Sequence, residues 1–143
     1  MEKAARELRR FNYLIGEIDK LYHRAALKLG QSDSALAVLY TLCSEGRCGI
    51  SEVCHLSGMS KQTVNSALRK LEAEGVVKLE AVDGRKKQIS LTAKGSRLAA
   101  KTAARVVEAE NRVFAGWSES DRAEYLRLTE KYLCDFKNEV DNL

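Results

Sequence analysis

From residue 3 to residue 29 apolar side chains return at alternating steps of three and four, at Leu8, Phe11, Ile15, Ile18, Tyr22, Ala25 and Leu29. That spacing predicts one long amphipathic helix with a heptad-like stripe, ended by Gly30. Ser32 or Asp33 is placed to cap a second helix, Ser34 to Ser44, whose Leu36, Leu39, Tyr40 and Cys43 share an apolar face before Gly46. By that reading Cys43 belongs to the core. A short apolar link at Ile50 follows, then a brief helix capped by Ser51 and running through Leu56, and a turn at "GMS". Ser60 caps the next helix, "SKQTVNSALRKLE", which Gly75 closes.

After Gly75 the period changes from helical to alternating. In "VVKLEAV" the residues Val77, Leu79 and Ala81 alternate with Lys78, Glu80 and Val82, and "QISLT" is rich in β-branched residues. The D-G turn signal in "DGRKK" joins the two into a two-stranded hairpin with a cationic tip. Thr92 caps a return to helix through about Ala115, and after "GWSES" a last helix carries Leu126, Leu133, Phe136 and Val140 on one stripe. The predicted class is mainly α with a small β-hairpin wing.

Rotation by ~100° per residue divides the helix after Ser60 into two faces. Val64, Ala67, Leu68 and Leu71 fall inward; Gln62, Asn65, Ser66, Arg69 and Ala73 fall outward, flanked by Lys61, Arg69 and Lys70. Short hydrogen-bonding side chains near a helix N-terminus suit the DNA major groove, where Asn and Gln pair with adenine, Arg pairs with guanine, and small hydroxyls allow close approach. A short helix, a tight turn, a polar-faced helix and a basic hairpin, in that order, make a winged helix-turn-helix. A winged-helix module for protein association is the rival reading. Such a surface favours aromatic and aliphatic anchors, which the outward face lacks.

Charge is concentrated on the same segment. Residues 60 to 95 hold eight basic side chains (Lys61, Arg69, Lys70, Lys78, Arg85, Lys86, Lys87, Lys94) against four acidic ones (Glu72, Glu74, Glu80, Asp83), a net +4. The whole chain, with 24 Lys and Arg against 20 Asp and Glu, is also +4, so the remainder balances. Phosphate neutralisation would use that excess.

"SKQTVNSALRKLEAEGVV" followed by "DGRKKQISLTAKG" resembles the multiple antibiotic resistance regulator (MarR) family of winged-helix transcription factors, nearly end to end. The D-x-R-x-K hairpin and the L-T-x-K-G that follows it are the most specific part. The resemblance implies an obligate homodimer with recognition helices in successive major grooves of a pseudo-palindromic double-stranded DNA site, wings in the flanking minor grooves, and release by a small ligand or by oxidation. It implies a recognition surface at Ser60, Lys61, Gln62, Thr63, Asn65, Ser66, Arg69 and Lys70. Arg85 would be the wing-tip residue in the minor groove, oriented by Asp83, with Lys86 and Lys87 near phosphates.

The chain length of 143 residues suits one domain, with residues 1–30 and 93–143 as a helical dimerisation region around a DNA-binding unit at 31–92. Large apolar residues on the terminal stripes, Phe11, Tyr22, Phe114, Trp117 and Phe136, exceed what one small winged-helix core can cover, which calls for a partner chain. With no apolar run of membrane-spanning length and no leader signal, the cytoplasm is the expected location. No nucleophile-base pair, phosphate loop or paired carboxylates point to catalysis, and no cofactor is expected. His55 beside Cys54 lacks the spacing of a soft metal site. Cys43, Cys48 and Cys54 bracket the start of the DNA-binding unit and are the candidates for a redox switch, which requires an accessible thiol of lowered pKa. An effector crevice between the helical region and the winged unit is expected, with Tyr13, Tyr40 and Trp117 as candidate lining.

Overall fold

The fold, taken from a computed structural model, is described for residues 1–84 and 86–143. It divides into two compact units, Met1–Val107 and Glu108–Leu143. The first runs through α1 (Glu2–Lys28), α2 (Asp33–Glu45), β1 (Cys48–Gly49), α3 (Ile50–Ser57), α4 (Lys61–Ala73), β2 (Val77–Val82), β3 (Lys86–Leu91) and α5 (Ala93–Lys101). Helix α6 (Ala103–Ala115) carries the chain into the second unit, where α7 (Glu119–Asp141) follows. None of the described helices is long and apolar enough to cross a membrane.

Local chemistry sets the ends. Gly30, at φ +67°, turns the chain so that the Gln31 N–H reaches the Ala26 carbonyl at 2.9 Å, closing α1. Ser32, rather than Asp33, caps α2 by accepting from the Ala35 N–H at 3.1 Å. Asp33 instead meets His23 Nδ1 at 2.9 Å, tying the end of α1 to the start of α2.

The core lies within the first unit. Leu39 of α2, Val53 of α3, Val64 and Leu71 of α4, Val76, and Ile89 of β3 are all essentially inaccessible. The terminal helices are different. In α1 only Ala26 is buried, while Leu8, Phe11, Ile15, Ile18 and Tyr22 stay exposed. In α7 no residue is buried, and Leu126, Leu133, Phe136 and Val140 all face outward. Within the second unit, Phe114 stacks on Trp117 at 5.1 Å, with the edge of Tyr125 against both.

Four local expectations are corrected. The hairpin is part of a three-stranded antiparallel sheet in the order β1-β3-β2, because Cys48 and Gly49 pair with Ile89 and Gln88. That pairing holds the backbone extended up to Gly49, so α3 begins at Ile50 and Gly49, not Ser51, is its N-cap residue. The single helix expected from Thr92 to Ala115 is broken at Thr102, which has φ −126° and ψ −92° and donates its hydroxyl to the Leu98 carbonyl at 2.7 Å. Finally, Cys43 is exposed, because its place at the end of α2 overhangs the edge of the core.

The start of α5 presses against the chain that leaves α4. An added Cβ on Gly95 would sit 1.9 Å from the Val76 carbonyl oxygen, a position only a residue without a side chain tolerates. Gly95→Ala is therefore expected to cost about 1 to 3 kcal/mol, read as a fall of roughly 4 to 10 °C in Tm. An unchanged Tm would mean that the first turn of α5 can shift without penalty.

Candidate nucleic-acid interface

Helix α4 is held at its start by a reciprocal cap. The Ser60 hydroxyl accepts from the Thr63 N–H at 3.1 Å and donates to the Thr63 hydroxyl at 2.9 Å. Both residues thus serve the helix end as well as its surface. The inward stripe Val64, Ala67, Leu68 and Leu71 is buried as the periodicity requires, which turns the opposite stripe to solvent. Lys61, Gln62, Thr63, Ser66, Arg69 and Lys70 are exposed, and Asn65 is half-buried.

The wing stands beside this helix. Its turn uses Asp83 at φ +54° and Gly84 at φ +78°, left-handed conformations that Asp and Gly accept better than other residues. Arg85 lies outside the described residues, so the Asp83–Arg85 pairing has no structural account here. The register separates the two lysines that follow. Lys87 pairs with Ala81 and shares the core face of the sheet with Leu79 and Ile89, whereas Lys86 pairs with Val82 on the other face.

Consequently, Asn65 and Arg69 of α4 and Lys87 of β3 surround one cleft of about 280 Å³, floored by Ile50, Leu68 and Leu79. Helix α4 and the wing form one concave surface there. Glu72, not singled out by the sequence reasoning, lines the same cleft three residues after Arg69, and the 65, 69, 72 spacing was the available signal. Lys86 and Asp83 lie away from it, at the tip.

On the outer sheet face the Glu80 carboxylate takes the Lys78 ammonium at 3.0 Å and Arg47 at 3.3 Å. The Lys78 hydrogen bond, Lys78 charge and Arg47 charge hold its pKa below the usual glutamate value. Because that value is depressed on folding, these pairs favour the sheet above the ordinary glutamate pKa and fade as pH falls through the folded one. The basic run also extends beyond residue 95. From Gly84 to Val107 there is no acidic residue, and the basic series continues through Arg97, Lys101 and Arg105.

The candidate redox thiols do not converge on a reactive environment. Cys48 is buried beside Ile89 of the core, and desolvation, then Glu52 and Glu45, raise its pKa. Desolvation also raises that of Cys43, exposed as it is. Both shifts run opposite to the activation a sensing thiol needs. Cys54 is half-buried on α3, and Cys134 is exposed on α7.

Comparison with known proteins agrees with this geometry. The winged helix-turn-helix DNA-binding family model matches residues 31–78. A search of curated protein sequences gives no significant match. Among solved structures, the MarR family regulator NMB1585 from Neisseria meningitidis is similar over 94% of this chain and 95% of its own, with 24% identity and a TM-score of 0.77. The transcriptional regulator PA3341 is 27% identical over 90% of this chain and 98% of its own, with a TM-score of 0.71. BpsR of Bordetella bronchiseptica, whose DNA binding is regulated by 6-hydroxynicotinic acid, is 19% identical over 82% of this chain and 97% of its own, with a TM-score of 0.56. The chain carries a winged helix-turn-helix DNA-binding unit, in the architecture expected from its sequence.

The cap geometry predicts that Ser60→Ala lowers stability by about 1 kcal/mol in denaturant unfolding. Unchanged stability would mean that Ser60 is there for the surface alone.

Proposed function

We propose that this chain, a winged-helix regulator of the MarR type, acts in the cytoplasm as a homodimer that binds a pseudo-palindromic DNA site and represses transcription by blocking promoter access. One observation carries the reading. The stripe of α4 opposite its buried face presents Gln62, Asn65, Ser66 and Arg69, donors and acceptors of the kinds that read base edges, with no apolar anchor for a protein partner.

Each recognition helix enters a major groove with Asn65 and Arg69 toward bases. Arg85, oriented by Asp83, works from the wing at the flanking minor groove with Lys86 at the backbone, and Lys87 joins the two surfaces across their shared cleft. The exposed apolar stripes of α1 and α7 support pairing with a second copy, which holds two readers near one DNA turn of ~34 to 36 Å apart.

Release falls to a small organic ligand. A bound ligand acts by favouring a dimer whose two recognition helices no longer match that spacing. The regulation of BpsR by 6-hydroxynicotinic acid supports this mode. The raised thiol pKa values of Cys43 and Cys48 argue against those two thiols as the sensing groups.

Base reading and backbone contact separate experimentally. Arg69→Ala is expected to cost about 1 to 3 kcal/mol of binding and to relax preference at one base pair. Lys86→Ala should weaken all sequences alike and reduce the slope of log affinity against log salt by about one. If Arg69→Ala instead weakened every sequence equally, its assignment to base reading would fail.

A further inference from the structure

The carboxyl end of the recognition helix is fastened by the first turn of α5. A helix ends with carbonyls that lack partners, and its C-terminal end is electronegative. In α4 the Lys70, Leu71 and Glu72 carbonyls accept the N–H groups of Glu74, Val76 and Gly75, and the carbonyls of the three residues that leave the helix, Glu74, Gly75 and Val76, are taken by residues 16 to 20 positions later. The Lys94 ammonium donates to the Glu74 carbonyl at 2.6 Å. The Thr92 hydroxyl donates to the Gly75 carbonyl at 2.6 Å and lies 3.2 Å from that of Val76, which also accepts the Thr92 N–H at 3.1 Å.

Thr92 serves both helices, because its hydroxyl oxygen also accepts the Gly95 N–H at 3.0 Å and so caps α5. With Gly95 lacking a side chain, backbone lies directly against backbone at Val76. Thr92 and Gly95 hold α5 at one point, Gly75 and Val76, about which it can still pivot, and the Lys94 bond to Glu74 is a second point that fixes the angle. Among these contacts Lys94 is the one that reaches in from solvent. Removing its charge leaves no buried cavity, and water can take its place at Glu74.

We propose that Lys94 is a positioning residue for DNA recognition, fixing the angle between α4 and α5 and thereby the half-site spacing that the dimer accepts. This rests on the two-reader mode proposed above. Changing the spacer by one base pair rotates one half-site by about 34° relative to the other. A dimer with rigidly fixed readers rejects such a change; one with a loosened joint tolerates it.

The test measures affinity of wild type, Lys94→Met and Lys94→Arg for the selected symmetric site, for versions with one base pair added to or removed from its spacer, and for a single half-site. Wild type is expected to prefer the native spacing by about 10-fold or more, and Lys94→Met to lose most of that preference while keeping its half-site affinity and Tm. Lys94→Arg should restore it. Spacing preference retained in Lys94→Met would overturn the proposal. So would equal weakening at every spacing with a salt slope reduced by about one, which marks an ordinary phosphate contact. Absence of any sequence preference in wild type would instead overturn the DNA-reading function on which it rests.

Discussion

Burial of one stripe of α4, Val64, Ala67, Leu68 and Leu71, against the packed α2 and α3 decides what the opposite stripe is able to do. Each fully buried Val or Leu contributes about 1.5 to 3 kcal/mol, far more than any exposed polar contact on the same helix. The helix therefore cannot roll. Gln62, Ser66 and Arg69 are exposed because Leu68 and Leu71 are not, and surface hydrogen-bonding groups gain a fixed geometry from apolar packing they take no part in. The wing is set by the same core, since Ile89 and Val77 anchor its base while Asp83, Gly84, Lys86 and Lys87 are exposed.

A second constraint runs the other way along the chain. The terminal helices place apolar residues outward, so the winged unit satisfies its own core while α1 and α7 do not satisfy theirs. A protein built this way has a winged head that folds around itself and terminal helices whose apolar stripes stay exposed. Thr92, Lys94 and Gly95 stand where the head passes into the later helices, and their close contacts with residues 74 to 76 make that passage stiff.

Much of this was legible in the sequence, and the reasons for the exceptions are physical. The two faces of α4 followed from helical period alone, and Ser60, Thr92 and Gly75 marked boundaries that the structure keeps. Strand β1 escaped notice because two residues, Cys48 and Gly49, show no alternation, and their pairing with β3 is a long-range event. The break at Thr102 lies among good helix formers, and what bends the chain is a buried hydroxyl turned back onto Leu98, invisible to propensity. Cys43 shared the apolar face of α2 by angle but sits beyond the end of the core. The L-T-x-K-G run was visible as a pattern, yet its mechanism needs Glu74, Gly75 and Val76, which no local spacing connects to it.

The central claim is that two copies of the α4 surface read DNA bases related by a two-fold axis. Selection of bound sequences from random duplex DNA, at ~150 mM salt so that phosphate attraction alone does not retain them, tests it most directly. Enrichment of a symmetric site with half-sites about one helical turn apart is the predicted result. Recovery of unenriched sequence, bound weakly and lost as salt rises, would contradict it and leave a basic winged helix without a reading function.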